Sequence, residues 1–150
     1  MKKIISILTF AVLLGTFAFA QKDFNSAQFS LRSDVVTYLK SEGFQPSIDD
    51  DGDIMFKRQG DTYFVIISAT DDNPMYIQLA KYFNYNDSFT RTKATLLANE
   101  ISLYKMCKLT ASENNFSLAC QMFVRNSSAF TSTFYRMLEV MDAAESELSN

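Results

Sequence analysis

Apolar positions change their period several times along the chain, and each change marks an element. Leu31, Val35, Tyr38 and Leu39, with Val36 widening the stripe, recur at helical spacing and predict a helix over residues 24–42 with one packed face. Gly43 fits the position just past the helix end, where a left-handed backbone is needed. Phe44 follows where it can touch Leu39, as in a Schellman ending. From Phe44 the pattern is extended. Asp51-Gly52, between residues 45–48 and 54–56, predicts a hairpin closed by a type I′ turn, and Gln59-Gly60 predicts a second turn. Residues 62–69, through Tyr63, Phe64, Val65, Ile66 and Ile67, form a continuous β-branched and aromatic run, the pattern of a central strand covered on both faces. Asp71-Asp72-Asn73-Pro74 breaks that run. Residues 75–82 then alternate Met75, Ile77 and Leu79 against Tyr76, Gln78 and Ala80, which predicts a fourth strand.

Asp87 or Ser88 can cap a second helix carrying Phe89, Leu96, Leu97 and Ile101 and ending near Leu103. Two extended runs, residues 104–111 and 115–124, flank Ser112-Glu113-Asn114 as a hairpin. The second run puts Phe116, Leu118, Cys120, Met122 and Val124 on one face. Ser127 or Ser128 opens a last helix with a core stripe of Phe130, Phe134, Met137, Leu138, Met141 and Leu148, and the stretch after Asp142 is expected to fray. The order α-β-β-β-β-α-β-β-α, without repeats or linkers, predicts an α+β domain: one antiparallel sheet of about five strands flanked by three helices. Residues 21–150 suffice for one such core.

Residues 1–20 read as a secretory signal peptide: Lys2 and Lys3, an apolar stretch from Ile4 to Leu14, and Ala18-Phe19-Ala20 before Gln21. Gln21 stands where a bacterial lipoprotein would have Cys, so a soluble periplasmic or secreted protein is expected, with no stable membrane insertion after cleavage. The chain carries 14 Lys and Arg against 17 Asp and Glu. Cleavage would remove two lysines and no acid, making the remainder more acidic. No basic footprint for nucleic acid exists. The absence of His removes Ser-His-Asp and Cys-His catalysis, the HExxH metalloproteases and the commonest zinc ligand. No catalytic motif and no cofactor are implied.

Three constellations remain. Asp49, Asp51 and Asp53 lie in an acidic run that partly fits a calcium loop, but Arg58 occupies the position that needs a bidentate Glu, and strands flank the run where helices are required. A solvated hairpin tip or weak Ca²⁺ binding are the two readings. Cys107 and Cys120 lie on the two arms of the second hairpin. They are directly opposite if the turn centres on Glu113-Asn114 and diagonal if it centres on Asn114-Asn115; a disulfide and a pair of buried thiols are both open. A catalytic thiol is disfavoured, because neither His nor CxxC is present to lower its pKa. Finally, 14 Phe and 7 Tyr are many for one sheet and three helices to hide. Tyr76, Tyr82, Phe83 and Tyr85 around one strand end are the candidate binding residues for a peptide or for self-association.

The leading helix closed by Gly43-Phe44, Asp51-Gly52-Asp53-Ile54-Met55-Phe56, Thr62-Tyr63-Phe64-Val65-Ile66, and Leu97-Ala98-Asn99-Glu100-Ile101 together resemble the YbjN family over residues 28–145. The family is described as bacterial sensory transduction regulators. The resemblance implies a fold similar to type III secretion chaperones, with a protein or peptide partner and a homodimer as expectations, and it supplies no catalytic motif. Unlike the usual cytoplasmic members, this chain carries a signal peptide. The function expected is therefore an exported, non-enzymatic binding module. The alternative is a small-ligand or metal-assisted protein resembling cystatins or the nuclear-transport-factor fold, which would need a deep pocket with convergent polar groups.

Overall fold

The protein's structure, a computed structural model, describes residues 23–104 and 106–148. The stretch read as a signal peptide lies outside them. Helix α1 (Ser26–Ser41) starts at Asn25, whose side chain accepts from the N–H groups of Ala27 and Gln28, while the Gln28 side chain accepts from Asn25 N–H: a capping box. It ends as expected. Gly43 has φ 88°, Phe44 N–H donates to Leu39 O and Gly43 N–H to Lys40 O, the two bonds of a Schellman motif.

Four strands follow: β1 (Ser47–Ile48), β2 (Ile54–Arg58), β3 (Asp61–Asp72) and β4 (Met75–Asn84). Helix α2 (Arg91–Ile101), strands β5 (Cys107–Ala111) and β6 (Asn115–Val124) and helix α3 (Ser127–Leu148) complete the expected order. The fold is α+β, with one open antiparallel sheet ordered β1-β2-β3-β4-β6-β5. The two-residue β1 makes the strand count six. Strands β3 and β4 hold the middle.

Several boundaries depart from the sequence expectation. The β1–β2 hairpin pairs Ile48 with Ile54, so its loop is residues 49–53; of Asp51 and Gly52, only the glycine has positive φ. A longer loop is stable here because the Asp49 carboxylate accepts the N–H groups of Asp51 and Asp53. The two consecutive positive φ values of a type I′ turn occur instead at Gln59 (54°) and Gly60 (95°). Helix α2 is capped by Thr90 rather than Asp87 or Ser88, because Asn86 Oδ1 holds Ser88 and Phe89 in a turn of their own. The later start shifts the helix's phase: Ala94 and Ile101 are buried, and Leu96 is 70% exposed. Helix α3 does not fray after Asp142 but runs to Leu148, because Ala144 and Leu148 still reach the core.

The largest correction concerns β3. Tyr63, Val65 and Ile67 are buried, but Phe64 and Ile66 are only half-buried. The buried residues of α1, α2 and α3 join the alternate residues of the strands in a single core, with Phe134 ringed by Tyr38, Phe44, Phe56 and Phe130. All three helices thus cover one face of the sheet, and among the described residues no helix covers the other, the bare face.

Candidate functional site

The bare face follows from strand register. Residues opposite one another across β2, β3, β4 and β6 give a row of Met55, Phe64, Ala80 and Ala119, then a row of Ile66, Gln78 and Gln121, then Tyr76 beside Phe123. Tyr82, opposite Ser117, bounds the other side of the alanine row. Two aromatic pairs stand apart on this face. Phe64 and Tyr82 meet edge-on with centroids 5.3 Å apart, and Tyr76 and Phe123 are tilted at 5.3 Å. Between them lie Ala80 and Ala119, both buried among their larger neighbours, and Gln121 Nε2 donates to Gln78 Oε1 at 3.3 Å. Tyr82 is 48% exposed and Phe123 61%. Lys57 and Lys108 stand exposed on the flanking strands β2 and β5. Burial, with Asp53 and Asp49 nearby, raises the Tyr82 pKa; burial and Asp71 raise that of Tyr76. Both rings present neutral hydroxyls at ordinary pH.

The four aromatic candidates do not form one cluster. Tyr76 and Tyr82 lie on the bare face six residues apart, about 20 Å at the strand rise. Phe83 points to the core side and stacks on Phe116 at 4.9 Å, where Tyr85 and Phe89 also stack. The Tyr85 hydroxyl donates to Ser112 O at 3.0 Å, tying the β5–β6 turn to the end of β4. Phe83 and Tyr85 are therefore packing residues. Phe64, Ala80, Ala119 and Phe123 are not among the sequence candidates: strand alternation sets Ala80 and Ala119 on the face opposite their apolar neighbours, but Phe64 falls in the run read as covered on both faces.

Among the described residues no three His, Cys, Asp or Glu side chains are grouped to hold a metal ion. At the acidic hairpin tip, Asp49 spends its carboxylate on backbone N–H groups, and Arg32 donates to Gly52 O at 3.3 Å from beneath. Cys107 and Cys120 are directly opposite, the register centred on Glu113-Asn114, and both are free thiols in the core. Hydrogen bonding from Cys120 lowers the Cys107 pKa against the effect of burial, and that same bond together with burial raises Cys120.

A buried cation closes one end of the core. Lys81, 5% exposed, donates to Asp61 at 2.8 Å and to both oxygens of Glu145 at 2.6 and 2.7 Å, and lies over the Phe83 ring. Its polar groups satisfy one another. The cavities are shallow: one of about 380 Å³ lies between the end of α1 and β2, and one of about 410 Å³ is lined by Glu100, Leu103, Tyr104 and Glu147, where Tyr104 already donates to Glu147. No helix among the described residues is long and apolar enough to cross a membrane. No family model, curated protein or solved structure matches the chain.

Proposed function

We propose that the chain is an exported, non-enzymatic protein-binding module of the YbjN type, and that its working surface is the bare face of the sheet. The observation that carries this reading is the one-sided placement of the helices, which leaves Phe64, Tyr76, Tyr82 and Phe123 on the opposite face around the small side chains of Ala80 and Ala119. Strand lengths and spacings give this face a projected area of roughly 700 Å². A standard protein interface takes about 800 Å² from each partner, so the face matches a flat protein surface better than a small molecule. The occupant is an apolar helix or sheet face of a protein partner, with carboxylates at its margins to meet Lys57 and Lys108.

The test is site-specific photo-crosslinking in the exported compartment. A crosslinker at Gln121 is expected to capture one protein, and Phe123→Arg, at a position 61% exposed on this face, is expected to abolish capture without lowering the melting temperature. A crosslinker at Ser132, on the helical side, should capture nothing. Equal capture from both sides, or capture that survives Phe123→Arg, overturns the reading. Capture of a second copy of the chain overturns the separate partner and makes the face a homodimer interface.

A further inference from the structure

Four sulfur-bearing residues converge where the β5–β6 hairpin meets α3. Gln121 N–H donates to Met106 O at 2.9 Å, so the next pair along, Cys107 and Cys120, is a non-hydrogen-bonded pair. Such pairs have Cα atoms about 4.5 Å apart and bring their side chains closest. Cys120 Sγ lies 3.5 Å from Met137 O, which seats α3 against the thiol. Beside Cys120 a cavity of about 370 Å³ opens, lined among others by Met106, Met137 and Arg136. In a regular strand Met106 and Cys107 would face opposite sides of the sheet. Met106 has φ 69° and leaves that alternation, and it lines the cavity on the core side.

We propose that a soft monovalent metal ion, Cu(I), binds between the thiolates of Cys107 and Cys120, where Cys120 lines the cavity and Cys107, outside its lining, stands directly across from Cys120, with a thioether from Met106 or Met137 as third ligand. Thiolate and thioether donors select Cu(I), which accepts so small a set of soft ligands. Zinc is a poorer fit. It takes four N, S or O donors, and among the described residues no third Cys, His, Asp or Glu joins the pair. Binding releases the two thiol protons to solvent and leaves one net negative charge on the metal and its thiolates. Arg136 also lines the cavity, with its guanidinium paired to Glu139 at 2.8 Å. Met106, 46% exposed, gives the ion a way in.

The experiment titrates the reduced full chain, without oxygen, with Cu(I) buffered by a colorimetric chelator. About one ion per chain is expected, weakened roughly 100-fold by Cys107→Ser and roughly 10-fold by the double variant Met106→Leu, Met137→Leu. Met106→Leu alone, at an exposed position, guards against a folding defect, and Ag(I) as a redox-inert surrogate should raise the melting temperature of the wild type but not of Cys107→Ser. No binding under these conditions overturns the site, as does binding that ignores Cys107→Ser. Binding indifferent to the double methionine variant overturns the third ligand. A chain that only forms a Cys107–Cys120 disulfide in air, with no affinity for Cu(I) when reduced, also overturns it.

Discussion

Gln28 reaches across to Ser68: its Nε2 donates to Ser68 O and to Asp71 O, each at 3.0 Å, from a fully buried position. The β3–β4 register is irregular between Ile67 and Asp72, so strand pairing does not satisfy these carbonyls in the ordinary way. The same side chain also completes the α1 capping box. Gln28→Ala should therefore destabilise the protein by about 2–3 kcal/mol, from a lost cap and two stranded carbonyls. Urea unfolding monitored by tyrosine fluorescence measures it; a loss within a few tenths of a kcal/mol would show that water replaces the amide.

Lys81 sets an alkaline limit. Burial alone pushes its pKa down, but the hydrogen bonds it donates to Asp61 and Glu145 outweigh this and hold it above the ordinary lysine value. A raised folded pKa means that the native state binds more protons, so this contribution is complete below the unfolded lysine pKa of about 10.4 and is lost as pH rises through the folded value. The raised pKa values of Tyr76 and Tyr82 act in the same direction. Melting temperature should fall steeply above about pH 10. Lys81→Met should flatten part of that fall, and Lys81→Ala should cost about 1–3 kcal/mol at neutral pH through lost packing and unpaired carboxylates.

The last turns of α3 are needed for stability. Truncation after Asp142 removes buried Ala144 and Leu148 and the Glu145 carboxylate on Lys81. A loss of at least about 3 kcal/mol is expected, from apolar area together with the loss of one of the two carboxylates on the buried ammonium. By contrast, Asp142→Ala removes the bidentate partner of Arg58, at 2.8 Å on each oxygen but largely solvated, and should cost no more than about 1 kcal/mol, falling with salt. Denaturant midpoints of the two variants in low and high salt separate the cases.

The Gln59-Gly60 turn is open to improvement. Gln59 occupies the left-handed region at φ 54°, which Asn tolerates better. Gln59→Asn should stabilise by a few tenths of a kcal/mol, and Gly60→Ala, at φ 95°, should destabilise by about 1 kcal/mol despite open space around it. Thermal unfolding of both variants checks the opposite signs.

The two thiols should differ in reactivity. Cys107, lowered by its bond from Cys120, is the one that ionises, and Cys120 has no exposed surface. Alkylation of the native protein, followed by peptide mass spectrometry, should label Cys107 first, and labelling at Cys120 should appear only with unfolding. Equal labelling rates would contradict the pairing.

Local chemistry made much of this fold legible from sequence. The Schellman ending at Gly43-Phe44 depends on one residue's freedom at positive φ and the order of elements on apolar period, whereas the sequence left two turn centres open for the β5–β6 register, which the pairing of Cys107 with Cys120 decides. What could not be read was decided by which groups meet across the fold. Phe64 and Ile66 look like Val65 and Ile67 in sequence, since strand alternation sorts them into two faces without saying which face the helices take. Only the packing of α1, α2 and α3 on one side made Val65 core and left Phe64 beside Tyr82 on the open surface. The separation of Tyr76 and Tyr82 from Phe83 and Tyr85 has the same cause. The persistence of α3 past Asp142 rests on the core contacts of Ala144 and Leu148 and on the pairing of Glu145 with Lys81, distant in the chain, and Met106 reaches the cysteine cavity through a backbone twist that its apolar side chain does not announce. Periodicity is a property of neighbours along the chain, whereas a bare face and a ligand set are properties of contacts across it.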